Sequence, residues 1–192
     1  MRLLPPNRDH GWTPYIWLAY LGFFFIHPIV DHVGWKEWTA TVASVLVFLG
    51  IYFTFFWMKY PRNLLAILAM VLLGVVFAPY NGGAVGFFIY AAAFIPFAVP
   101  TELLAVLLLV TEMTVIGAIA FFFHLPPGFA ATGLAFSILI GATNIFFAQR
   151  NRANCRLRMA QNEIEQLAQI AERERIDRDL PDVLVHPLSV II

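Results

Sequence analysis

The chain has 192 residues, 60% of them hydrophobic, 16% aromatic and only 12% charged, with 12 basic and 12 acidic residues cancelling. A soluble globular domain carries about 25% charged residues, so this balance excludes an ordinary water-soluble fold. It points to an all-α membrane protein whose partner is the lipid bilayer, and with no basic excess it gives no reason to expect a nucleic-acid partner.

Residues 1–14 hold Arg2 and Arg8 ahead of a long apolar stretch with no small-residue cleavage site. This reads as a cytoplasmic lead-in to an anchor rather than a cleaved signal peptide. About six transmembrane spans are expected within 15–148, at Tyr15–Val33, Thr39–Met58, Asn63–Tyr80, Ala84–Val99, Glu102–Phe123 and Phe129–Ala148. No Asp, Glu, Lys or Arg occurs from Asn63 to Thr101 or from Met113 to Gln149, and each gap accommodates two spans of about 20 residues. Pro79-Tyr80-Asn81-Gly82-Gly83 is a turn that separates the third span from the fourth, and it resembles a turn more than a binding loop. Thr101 is placed to cap the fifth helix, where the Glu102 carboxylate suits the positive end of the helix dipole. Leu125-Pro126-Pro127-Gly128 breaks the chain before the sixth span.

Orientation follows from Lys and Arg. Arg2 and Arg8, Lys59 and Arg62, and the group Arg150, Arg152, Arg156 and Arg158 fall on one side when the number of spans is even; the opposite loops hold only Lys36. Both termini are therefore expected in the cytoplasm of a multi-pass protein of a bacterial inner membrane. Trp12, Trp17, Trp35, Trp38 and Trp57 fall near the expected interfaces, as an aromatic belt does.

Polar residues inside spans carry the functional argument. Glu112 lies ten residues into the fifth span, roughly 15 Å along its axis and near the middle of a hydrocarbon core of about 30 Å. An ionisable group at that depth is costly and is a functional candidate by default. It is expected to face other helices, carrying a proton or hydrogen-bonded, with Thr111, Thr114 and Asn144 as available partners. A structural interhelical hydrogen bond is the plainer alternative. His27, Asp31 and His32 sit toward the outer end of the first span, where they read as interfacial polar residues, with pH or substrate sensing as the alternative; metal ligation is a weaker one, since two helical ligands do not complete a site. The runs Phe23–Phe25 and Phe121–Phe123 read as packing or lipid-facing residues.

The composition changes after Ala148. Residues 149–180 are polar, and Arg150–Leu180 contains no Gly or Pro, which reads as a helix continuing from the sixth span. Leu157, Ile164 and Ala171 form one heptad track and Ala160 and Leu167 a second, broken at Glu174. Such a seam suits a parallel two-stranded coiled coil and hence a homodimer; a solvated single helix is the alternative. Cys155 is the lone cysteine, so no intrachain disulfide can form.

Residues 172–192 run Glu172-Arg173-Glu174-Arg175-Ile176-Asp177-Arg178-Asp179-Leu180-Pro181-Asp182-Val183-Leu184-Val185-His186-Pro187-Leu188-Ser189-Val190-Ile191-Ile192. This resembles the dimerisation and phosphotransfer helix of DesK-like sensor histidine kinases, roughly E-R-x-R-I-A-R-[DE]-L-H-D-x-L-G-H-x-L-S-x-I. The family's phosphorylated histidine is the one in L-H-D, a position held here by Pro181, which has no nucleophilic nitrogen. Asp177 stands where a small residue is usual and Val185 where Gly is usual, and Pro187 adds a second helix breaker. His186 matches the second histidine of the pattern and is a weak acceptor candidate, lying about 140° around an ideal helix from Pro181.

The resemblance implies a homodimeric membrane sensor of a two-component system, truncated or degenerate, with a response regulator downstream. ATP and Mg²⁺ are implied only for a kinase domain, whose asparagine and glycine-rich boxes are absent here. On that pattern residues 15–148 form the sensor domain, 149–180 the coiled-coil linker and 181–192 a remnant of the phosphoacceptor helix. Two other readings stand beside it. One is a small polytopic carrier or membrane enzyme built on Glu112, Asn144 and Thr114. The other is a non-catalytic membrane scaffold that modulates an intact kinase.

Overall fold

The computed structural model describes residues 13–30 and 34–188. Among the described residues the secondary structure is all helical. The chain begins with α1 (Thr13–Trp17), a 3-10 stretch (Leu18–Phe25) and α2 (Ile26–Val30). It continues through α3 (Trp35–Trp57), α4 (Asn63–Phe77), a 3-10 turn (Gly82–Ala84), α5 (Val85–Ala98), α6 (Glu102–Phe122) and α7 (Pro127–Leu188). Three of these, α3, α6 and the apolar part of α7, are long and apolar enough to cross a membrane. α4 and α5 are apolar but have only 15 and 14 residues, a rise of about 21–23 Å. Arg2, Arg8, Trp12, Asp31 and His32 lie outside the described residues.

The chain divides into two compact units, Met1–Ala148 and Gln149–Ile192. In the first, α5 is central. It packs against α4, α6 and the 3-10 stretch, and it buries Phe87, Phe88, Tyr90, Ala91, Ala92, Ile95 and Ala98. A helix apolar on every side belongs inside a fold, so the shortest of the expected spans is also the most buried. Phe48 and Tyr52 of α3 meet Phe87 and Tyr90 of α5, with ring centroids 5.2 Å apart for Phe48–Phe87 and 4.8 Å for Phe48–Tyr90. Phe55 and Phe94 extend this cluster at 4.4 Å. The outer faces of α3, α4, α6 and α7 expose Leu46, Leu68, Leu107, Leu139 and Phe147, far more apolar surface than a water-soluble fold leaves uncovered.

The first helical segment is held by polar contacts from distant helices. The Tyr52 hydroxyl donates to the Pro14 carbonyl at 2.7 Å and the Tyr90 hydroxyl to the Trp17 carbonyl at 2.6 Å. Pro28 has no N–H to offer the Phe24 carbonyl four residues back. The Asn81 side-chain amide approaches that carbonyl at 3.5 Å and donates to Thr41 Oγ1 at 3.3 Å, while Asn81 Oδ1 accepts from the Gly83 N–H at 2.8 Å. A Cβ on Gly83 would sit 3.0 Å from Phe24 Cα. The Asn81-Gly82-Gly83 turn therefore packs against Phe24 through its buried Asn81, with Gly82 exposed.

Helix ends follow local rules. Thr101 has the extended backbone of an N-cap, but its hydroxyl makes no capping bond, in contrast to the expected cap. α6 closes through His124, whose φ of 52° is left-handed. The Leu125 N–H donates to Ala120 O and the His124 N–H to Phe121 O, the paired bonds of a Schellman end. Pro126 and Pro127 follow directly.

In the second unit, α7 continues to Leu188, beyond the expected helix limit at Leu180 and past Pro181. A proline deletes one backbone bond and crowds the preceding turn at a cost of about 3 kcal/mol, and the helix nevertheless persists on either side of it.

Candidate functional site

Glu112 projects from α6 into the interior and is only 3% exposed. Its carboxyl lies beside the Ala92 backbone of α5 without reaching hydrogen-bond geometry, and neither oxygen has a hydrogen-bond partner. The expected partners are placed elsewhere. Thr114 and Thr111 are exposed and donate to the carbonyls of Val110 and Leu107 on their own helix, each at 2.8 Å. The reason is angular: Thr114 is two residues from Glu112, about 200° around the helix, so it faces the opposite way. A hydroxyl on an apolar surface then satisfies itself on the carbonyl one turn back. Asn144 on α7 is part-buried and donates through Nδ2 to the Ala93 carbonyl of α5 at 3.0 Å. Glu112 and Asn144 thus reach α5 at neighbouring residues, Ala92 and Ala93, without bonding to each other. The expected trio is not assembled.

A residue absent from the expected set completes the polar interior. Ser137 of α7 is fully buried and its Oγ has no partner. The signal for it was present in the spacing Gly133-x3-Ser137-x3-Gly141, which puts small residues on one helical face.

A second polar region lies where α2, α3 and α4 meet. A cavity of about 330 Å³ there is lined by His27, Lys36, Glu37, Thr41, Tyr80 and Asn81 together with apolar side chains. His27 alone of the expected His27, Asp31 and His32 group falls within the described residues.

The tail residues sit on a bare helix. Leu157, Ile164 and Leu167 are exposed by 61%, 66% and 60%, and Ala160 and Ala171 are exposed too. Single Leu or Ile side chains on a surface are ordinary, but here they recur at heptad spacing with nothing against them in one chain. Glu172 and Arg175 pair at 2.8 Å, an exposed contact of small energetic weight. Cys155 is a free, exposed thiol. Pro181 and His186 lie on the last turns, where only the backbone course is described.

No family model, curated protein or solved structure matches this chain.

Proposed function

We propose that the chain is the membrane-embedded sensing and dimerisation part of a two-component sensor histidine kinase. In this reading six helices lie in a bacterial inner membrane, both termini are cytoplasmic, and a response regulator is the downstream partner. The observation that carries it is α7. This one helix is apolar up to Ala148, then polar with an exposed stripe of Leu157, Ile164 and Leu167 at coiled-coil spacing. Two copies of the stripe bury one another, and a change in packing among the apolar helices becomes a rotation or register shift along the seam. Such transmission needs an element with two discrete packings, and a seam weakened by alanines and interrupted by Glu174 suits that need. Pro181 at the acceptor position leaves phosphotransfer to an intact kinase, so the scaffold reading shares this anatomy. The carrier reading draws on the burial of Glu112 but loses Thr114, which faces outward.

The test is cross-linking in membranes. In a Cys155→Ser background, Leu167→Cys should form disulfide-linked dimers efficiently and Gln169→Cys poorly. Equal yields at the two positions would mean that no specific seam exists and would remove the mechanical basis of the sensor reading.

A further inference from the structure

The seam between α6 and α7 carries two buried polar groups that nothing in the fold satisfies. On α6, Leu109, Glu112 and Ile116 share one face; on α7, Gly133, Ser137 and Gly141 share another. Two contacts fix the register. A Cβ on Gly141 would lie 2.9 Å from Leu109 Cδ1, and one on Gly133 would lie 3.1 Å from Ile116 Cγ2. The helices therefore run antiparallel, and in sequence Glu112 and Ser137 fall between the two contacts. Glu112 is 3% and Ser137 0% exposed, and Glu112 Oε1, Glu112 Oε2 and Ser137 Oγ all lack partners.

Counting donors shows what is missing. A carboxylate brings acceptors only, and Ser137 brings one O–H, so three oxygens share a single donor. Adding one proton doubles the donors: Glu112 can then give a hydrogen bond while Ser137 gives its own. The Ala92 backbone N–H of α5 also lies beside Glu112, without reaching hydrogen-bond geometry to either oxygen. A hard cation such as Ca²⁺ or Mg²⁺ takes about six or more oxygen ligands, and no group of three His, Cys, Asp or Glu is brought together among the described residues. Nor does any neighbouring charge compensate a carboxylate. The only ionisable side chain that α5 brings is Tyr90, whose hydroxyl is given to the Trp17 carbonyl. α7 brings none before Arg150, and Glu102 of α6 is three turns away and exposed.

We propose that Glu112 and Ser137 form a proton-binding site on the α6–α7 seam, and that α7 stays packed on α6 only while the proton is bound. Loss of the proton leaves a bare carboxylate in apolar surroundings, a state costly enough that the seam must part to admit water. The packed form is thus present on the acid side and lost as pH rises. Any effect on signalling rests on the sensor reading above, since α7 also carries the dimer stripe; the seam itself does not depend on that reading.

The test uses the full chain reconstituted in phosphatidylcholine vesicles and titrated from acid to alkaline pH. Infrared spectroscopy should show the carbonyl stretch of a protonated carboxylic acid that is absent in Glu112→Gln, shifts in Ser137→Ala and fades as pH rises. Spin labels on cysteines replacing the exposed Leu107 and Leu139, in a Cys155→Ser background, should report a longer α6–α7 distance over the same range. Glu112→Gln should hold the short distance at every pH. A carboxylate at all pH values, an invariant wild-type distance, or lengthening that persists in Glu112→Gln would each overturn the proposal. The wild-type titration decides by itself if Glu112→Gln does not fold. A pH-insensitive seam alongside selective cross-linking at Leu167 would sink this inference and leave the sensor reading intact; the converse pattern would do the reverse.

Discussion

Gly74 is the position where the packing of the first unit is most easily put to the test. A Cβ added there would lie 2.6 Å from Phe88 Cε2, 2.7 Å from Cζ and 3.0 Å from Cδ2. Carbon atoms rest at about 3.5–4.0 Å, so in Gly74→Ala the Phe88 ring must retreat by about 1 Å. The ring is enclosed: Phe88 is 0% exposed and also packs edge-on with Phe129, at a centroid distance of 6.5 Å. Overpacking of this kind costs about 1–3 kcal/mol, and alanine returns up to about 1 kcal/mol through helix propensity, so a net loss of about 1–2 kcal/mol is expected. Reversible unfolding in mixed detergent micelles, followed by circular dichroism, measures it. Gly50→Ala and Gly117→Ala, where an added Cβ meets nothing within 4 Å, should be neutral or stabilising. In a Phe88→Leu background the penalty at Gly74 should largely vanish, because contacting sites are not additive. Equal effects at Gly74 and Gly50, or full additivity with Phe88→Leu, would refute the packing of α4 on α5 described above.

Other outcomes follow from the same structure. Tyr90→Phe removes the donor to the Trp17 carbonyl and should cost about 1–3 kcal/mol if that acceptor stays buried; an unchanged unfolding midpoint would mean that water replaces the hydroxyl. Incubated with radiolabelled ATP, the purified chain should remain unlabelled if, as in the proposed sensor reading, Pro181 holds the acceptor position, and acid-labile, base-stable label on His186 would contradict this. Reporter fusions at Gly128 and Ile192 should report opposite compartments, and a periplasmic signal from Ile192 would sink the proposed topology.

Some helix limits were legible: the observed starts at Asn63 and Glu102 are the expected ones, the second just after Pro100, whereas Pro96 lies inside α5 and Pro181 inside α7 without ending either helix. The orientation of Thr114 was equally legible: two residues are about 200° of helix, and counting them would have removed it from the Glu112 site. Ser137 could have been found from its position midway between Gly133 and Gly141. The anchoring of the first segment was not legible, since the hydroxyls of Tyr52 and Tyr90 that bond its carbonyls arrive from 38 and 73 residues away. The role of Asn81 depends likewise on a carbonyl 57 residues earlier, freed by Pro28. In the tail, the heptad spacing of Leu157, Ile164 and Leu167 was legible directly, and their exposure agrees with it.

The 3-10 stretch Leu18–Phe25 also changes how far the chain reaches. Each 3-10 residue advances about 2.0 Å where an α residue advances about 1.5 Å. The 18 residues from Thr13 to Val30, with eight of them in the tighter helix, therefore extend about 31 Å rather than about 27 Å. That is close to the hydrocarbon thickness of a bilayer, about 30 Å, which an ideal α-helix fills with about 20 residues. In the proposed topology the first segment crosses with two residues fewer than an ideal helix, and rewinding it to α geometry would pull one end inward by about 4 Å.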